Sequence, residues 1–288
     1  MEQKRPGNFP VFDPAAPLLV FSDYGGGHSA AHFESYAFFL TQPAILAQWE
    51  TDRLDIRWAY GLANCSMAYK KLSAADRARA LWPWLVAADG LDGLLVTVLV
   101  ARSLGSMFSA TGLAELRQKE PEFGMLKDGT IERVFRIAHF LSVFVAGLSS
   151  AQQELVWITD EDEIAANPSR LNLLQRTFAS VSAMYLGRVP QQLHCATTAF
   201  DNRSRQLEDL ASLPDLVAGA LADAYTQQMI HDALPVGHDP VAIPVSIAGK
   251  TGELLKWLSL PDRALRRMVF ALWPADDGKI YVNKIVFR

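Results

Sequence analysis

Three aspartates stand where one local pattern gives way to another. Asp23 closes the run "LLVFSD", Asp160 closes "ELVWITD", and Asp215 opens "DLVAGALADAY". Carboxylates are hard oxygen donors of the kind that hold Mg²⁺ or Mn²⁺. Paired ions of this type, about 3.5–4 Å apart, neutralise phosphate oxygens and make a water nucleophilic, which is what phosphodiester cleavage needs. A strand end projects an acid to a fixed point, so Asp23, Asp160 and Asp215 are the candidate metal ligands and catalytic residues.

Each acid also has a plainer reading. Ser212-x-x-Asp215 spells a helix capping box, and so do Ser73-x-x-Asp76 and Thr159-x-x-Asp162. Asp160 can be a solvated strand-end acid, and Asp23 an ordinary turn residue before Gly25-Gly26-Gly27. Those glycines can bring backbone N–H groups against a phosphate, or simply permit a turn. They lack the Lys-Ser/Thr of a P-loop and the spacing of a dinucleotide fingerprint. Gly25, Gly26 and His28 are therefore candidate substrate contacts around Asp23. Lys70, or its neighbour Lys71, is a candidate contact to backbone phosphates, or a solvated lysine at a helix entry. His28 and His32 have no third ligand at zinc spacing. His194 and Cys195 are adjacent on a strand and so face opposite ways.

The elements that must position these residues follow from the hydrophobic pattern. Leu18–Asp23 is a continuous apolar run, as in a buried central strand, and Glu34–Thr41 reads as its partner across the glycine turn. A short helix over Ala44–Glu50 and a third strand over Ile56–Tyr60 follow. "SAADRARALWPWLVAADG" predicts a helix with Ser73 as N-cap, which Pro83 must kink or divide, and "WPW" reads as core. Gly93–Ala101 is a β-branched buried strand. Helices are expected over Ser106–Lys119 and Ile131–Leu148, a strand over Glu154–Asp160, a helix over Leu171–Tyr185, a strand at "QLHCATTAF", and a helix from Leu213 packed through Ala218, Gly219 and Ala220. Two β-like runs around Asp276-Asp277-Gly278 spell a hairpin. Strands first, then alternating helix and strand, give an α/β fold with a mixed central sheet flanked by helices. An initial meander followed by αβ units is the layout of an RNase H-like sheet. The chain divides into an arm over 1–16, an α/β domain over 17–230, and a C-terminal appendage with a β-hairpin over 231–288.

Composition sets outer limits. The 288 residues carry 27 Lys+Arg against 31 Asp+Glu, a net charge of −4, so no global basic field marks a nucleic-acid binder. Only two cysteines, Cys65 and Cys195, are present, which points to reduced thiols in a cytoplasmic protein. The N-terminus has no apolar signal core. "VFRIAHFLSVFVAGL" is shorter than the roughly 20 apolar residues of a bilayer span, so it reads as a buried helix and no membrane association is expected.

Four segments in order resemble a widespread bacterial family of unknown function with an RNase H-like fold. "FSDYGG" resembles its Tyr-Ile-Asp-Glu-Ser-Gly opening strand, with Asp23 on the Asp. "MAYKKLSAADRARALWPWLVAADGLDGLLVTVLV" resembles its Lys-rich segment, helix and strand, and "WITDED" its later acidic strand end. "SLPDLVAGALADAY" resembles its closing helix, with Asp215 on the acid. The likeness covers roughly residues 17–228. It implies a Mg²⁺- or Mn²⁺-dependent nuclease-like site on Asp23, Asp160 and Asp215, with nucleic acid as partner. The chain departs from the family at Tyr24, which stands in place of Glu, and at Ser66 or Met67, where relatives often carry Glu. These missing acids and the negative charge suit an alternative, a non-catalytic interaction protein on the same fold that self-assembles through its C-terminal hairpin. A hydrolase of small phosphorylated molecules is a third reading.

Overall fold

The structure is a computed structural model that describes residues 9–150, 152–190, 192–201, 204–231, 241–243, 247–275 and 277–287. The apolar run at the start of the chain becomes β1, Leu18–Gly25, and the glycine turn returns the chain as β2, Phe33–Thr41. They pair antiparallel, with Phe21 opposite Phe39 and Asp23 opposite Ala37. Next come α1 (Leu46–Ala59), α2 (Ala75–Ala88) and β3 (Gly93–Ala101), which lies antiparallel to β2 and completes the meander. The second half holds α3 (Ala110–Lys119), α4 (Asp128–Leu148), β4 (Leu155–Thr159), α5 (Pro168–Leu186), β5 (Leu193–Thr197) and α6 (Gln206–His231). It ends with β6 (Val241–Ile243), α7 (Gly249–Ser259), β7 (Leu265–Pro274) and β8 (Ile280–Phe287). Among the described residues the eight strands form one mixed sheet in the order β5-β4-β1-β2-β3-β7-β8-β6. β4 lies parallel to β1, and β5 parallel to β4.

Helices cover both faces, and strand alternation decides which side chain meets which layer. Phe21, Phe39, Leu95, Leu99 and Ile158 face the helices α1, α2, α6 and α7. Val20, Phe38, Val96 and Trp157 face α3, α4 and α5. The α4 segment is therefore a buried layer helix, as its length suggests, and no helix among the described residues is long and apolar enough to cross a membrane.

Several local expectations change. The third strand expected over Ile56–Tyr60 is absent, because α1 runs on to Ala59. Its continuation is fixed by tertiary charge pairing: Arg53 and Arg57, one turn apart, both reach the fully buried Asp209 of α6. Arg57 Nε donates to Asp209 Oδ2 at 2.7 Å and Arg53 Nη1 to the same oxygen at 3.0 Å. Ser73 does not cap α2, whose N-cap is Ala74 with no side-chain bond. Pro83 neither divides nor ends that helix. Trp84 beside it is anchored against Trp49 (5.1 Å between ring centroids) and donates Nε1 to Ser212. "WPW" is core only at Trp84, since Trp82 is 38% exposed under Lys256.

The ends of the chain are tied in. Residues 1–8 of the expected arm lie outside the described residues, but Phe12 is buried and Gln153 donates to the carbonyls of Asp13 and Ala16. The expected C-terminal hairpin forms, with Gly278 at φ 78° and Ala275 N–H bonded to the Lys279 carbonyl. Asp276 lies outside the described residues. The hairpin extends the sheet, because β7 runs parallel to β3 from Gly93↔Leu265 to Val100↔Leu272.

Candidate functional site

Asp23 shares the parity of Phe21 on β1, so it faces the α6 layer at the strand's C-terminal end. Asp160 follows β4 with the parity of Ile158 and emerges beside it. α6 crosses this edge closely: Ser35 Oγ donates to the Ala218 carbonyl at 2.6 Å. Asp215 lies on the stretch of α6 preceding that contact. The acids line one cleft of about 800 Å³ together with Gly25, Gly26, His28 and Lys70. Every residue singled out from the sequence as a site candidate thus borders the same cavity, although their positions span almost 200 residues.

Backbone N–H groups hold the two inner acids. Tyr24 N–H donates to Asp23 Oδ1 at 2.5 Å, and Tyr69 N–H donates to Asp215 Oδ2 at 2.6 Å. Desolvation holds Asp23 well above the usual carboxylate range, and the negative charge of Asp215 adds to it, followed by Asp160 and Asp162. Burial pushes Asp215 up to about 6, with Asp160 adding to the rise while the Tyr69 N–H, Lys70 and Lys250 oppose it. The acids therefore sense one another's charge through a poorly solvated space. Asp160 is the outermost: it is exposed, and its Oδ1 accepts from the Glu161 N–H and the Thr198 hydroxyl.

The capping readings do not survive. Ser212 and Asp215 lie inside α6, which starts at Gln206, and Ser212 Oγ donates to the Asp209 carbonyl. Pro214 in mid-helix is what makes the sequence look like a helix start. Asp162 caps no helix either. Its Oδ1 accepts from Ile164 N–H in a local turn, and α5 begins six residues later under an Asn167 cap. Asp162 lines the cleft, whereas Glu161 does not. Among the glycines, Gly26 supplies the turn, with φ at 74° and its carbonyl held by Arg102 at 2.8 Å. His28 and Lys70 are exposed at the rim. Burial pushes the Cys195 thiol up to about 12, and His194 points to solvent beside Glu154, so neither belongs to a nucleophile–base pair.

Sequence reasoning missed Tyr69, Arg133, Asp223 and Lys250, all of which line the cleft. One signal was available: Asp215, Gly219 and Asp223 recur every four residues and form one face of α6. The Tyr69 ring lies against that face where Gly219 leaves room, since a Cβ there would sit 2.2 Å from the ring. Arg133 and Lys250 come from elements far from any motif.

No protein-family model matches this chain, and no curated protein matches it. The residues themselves therefore carry the functional argument. Among the described residues, no three His, Cys, Asp or Glu side chains close into a ready-made metal cage. The donor chemistry nonetheless fits a hard divalent cation. The inner donors are carboxylate oxygens, and the Asp23–Asp215 pair carries mutual repulsion that a cation relieves. Mg²⁺ is commonly held by one or two carboxylates, with water and substrate phosphate filling its remaining positions.

Proposed function

We propose that this protein is a divalent-metal-dependent phosphodiester hydrolase on an RNase H-like sheet, related to the bacterial family its four segments resemble, with nucleic acid as substrate. The order of elements supports the fold assignment: an antiparallel β1–β2–β3 meander, then β4 and β5 added in parallel on the far side of β1. The observation that carries the functional reading is that Asp23, Asp160 and Asp215, from two strand ends and a helix, all line one cleft together with Lys70 and Arg133, and that Asp23 and Asp215 raise each other's cost of ionisation.

In this reading Asp23 and Asp215 hold Mg²⁺ or Mn²⁺, with Asp160 at the outer edge. A cation held there would neutralise charge on phosphate oxygens and make a water more acidic. The chain's own groups prepare that site. The N–H groups of Tyr24 and Tyr69 fix one oxygen of each inner acid. Gly25 and Gly26 let the β1 turn pack directly on its neighbours, since a Cβ would sit 2.7 Å from the Ala218 carbonyl oxygen at Gly25 and 2.0 Å from the Phe33 carbonyl oxygen at Gly26. At Gly27 it would meet the Arg133 guanidinium at 3.0 Å. Lys70 and Arg133, both lining the cleft, offer N–H donors to backbone phosphates.

Cleavage of DNA and RNA in Mg²⁺ or Mn²⁺, with Asp23→Asn beside the wild type, tests this. The variant is expected to lose at least about 100-fold in rate, the scale of removing a group that stabilises charge in the transition state. Equal rates would remove Asp23 from the mechanism. One observation favours small phosphoesters instead: six acids against four bases line the cleft, Asp23, Asp160, Asp162, Glu208, Asp215 and Asp223 against Lys70, Lys71, Arg133 and Lys250. Cleavage of nucleotides but not polynucleotides would select that substrate class.

A further inference from the structure

Tyr69 is engaged at every polar atom it possesses. Its N–H holds Asp215 Oδ2 at 2.6 Å, and its hydroxyl lies 2.7 Å from both Asp223 Oδ2 and Thr251 Oγ1. Its carbonyl accepts from Lys250 Nζ at 2.9 Å, and the same ammonium sits 3.9 Å from the ring centroid. One face of the ring rests on Gly219 of α6. Thr251 and Lys250 both come from the first turn of α7. A segment with no part in the family resemblance therefore packs in the same helical layer and grips the residue that orients Asp215.

We propose that Lys250 is a positioning residue for this site, holding Tyr69 over α6 so that its N–H fixes the Asp215 carboxylate. The role rests on the reading of Asp215 as a cation ligand. Asp223 and Thr251 hold the far end of the Tyr69 side chain and Gly219 seats its ring. Lys250, however, is the side chain that holds the main-chain carbonyl of the same residue whose N–H meets Asp215. Tyr69–Lys71 is a single 3₁₀ turn whose N-cap, Ala68, makes no side-chain bond, and the lysines after Tyr69 are exposed. A short turn of this kind has little stability of its own. An ammonium that both donates to the carbonyl and lies over the ring restrains the main chain and the side chain together. Lys250 thereby makes the C-terminal segment part of the functional unit.

The sign of the effect separates positioning from charge alone. Removing a positive group near Asp215 should, by Coulomb's law, tighten cation binding. Releasing the group that orients Asp215 should weaken it, as loss of an outer-sphere partner does. Lys250→Met keeps the apolar stem and deletes the ammonium. Two readouts are needed on the full chain: hydrogen exchange of a peptide spanning 67–72, and Mn²⁺ affinity by titration calorimetry. The expected result is faster exchange confined to that peptide, an unchanged melting temperature, and Mn²⁺ affinity reduced about tenfold. Lys250→Arg should recover much of both. Unchanged exchange overturns the clamp, and faster exchange with equal or tighter Mn²⁺ binding overturns the positioning role. Should Lys250→Met fail to fold, Lys250→Gln is read in the same two ways. A wild type that binds no Mn²⁺ contradicts the metal-site reading itself, a result visible before any variant is made.

Discussion

Asp215→Asn should make the cation-free protein more stable at neutral pH while abolishing its activity. The folded protein holds Asp215 at about 6 against an ordinary 3.8, with burial the largest cause. A raised carboxylate pKa means that the folded state binds the proton more tightly than the unfolded state between those values. Stability from this group is therefore greatest at low pH and falls as pH rises from about 4 to 6. The shift is close to two units at about 1.4 kcal/mol each, so the ionised acid costs the fold roughly 3 kcal/mol at pH 7.5. Asparagine stays neutral, retains an oxygen for the Tyr69 N–H, and removes the charge that raises Asp23. Urea denaturation in EDTA should show the variant about 2–3 kcal/mol more stable at pH 7.5, with the gap closing towards pH 4. Mn²⁺ at about 1,000 times its Kd should reverse the order, because it adds about 4.1 kcal/mol to the wild type alone. A variant that is less stable at pH 7.5, or one whose difference from wild type ignores pH, would refute the claim that this carboxylate is ionised at a cost.

Other outcomes follow from the packing. Asp209→Asn leaves the buried Arg57 without its counter-charge and Arg53 with Glu50 alone, and urea denaturation should show a loss of about 3–5 kcal/mol. Gly219→Ala drives a methyl into the Tyr69 ring, so a loss of about 1–3 kcal/mol is expected despite alanine's better helix propensity. A neutral or stabilising result would mean that the ring does not sit there. Cys195 should resist iodoacetamide at pH 8 in the folded protein and react once unfolded, which peptide mass spectrometry reads directly.

The sequence by itself settled the layers and the main strands. Leu18–Gly25, Phe33–Thr41 and Gly93–Ala101 are apolar runs too short for buried helices, and each became a strand within two residues of its expected bounds. It also singled out Asp23 and Asp160, because an acid ending an apolar strand interrupts a local pattern, and Asp215, which spells a helix start although it lies inside α6. Where local signals competed with distant partners, the distant partners decided. "DIRWAY" looks extended, yet it is helical because Arg53 and Arg57 must reach Asp209, about 150 residues away. Ser212-x-x-Asp215 spells a cap, yet α6 begins seven residues before Leu213 and carries Pro214 through on the packing of Leu213, Leu216 and Val217. The seating of Tyr69 lay beyond any reading of the sequence, because its partners Asp215, Gly219, Asp223, Lys250 and Thr251 are 146 to 182 residues away. Hydrophobic period is a property of neighbours along the chain, and charge pairing between helices of one layer is a property of the folded molecule.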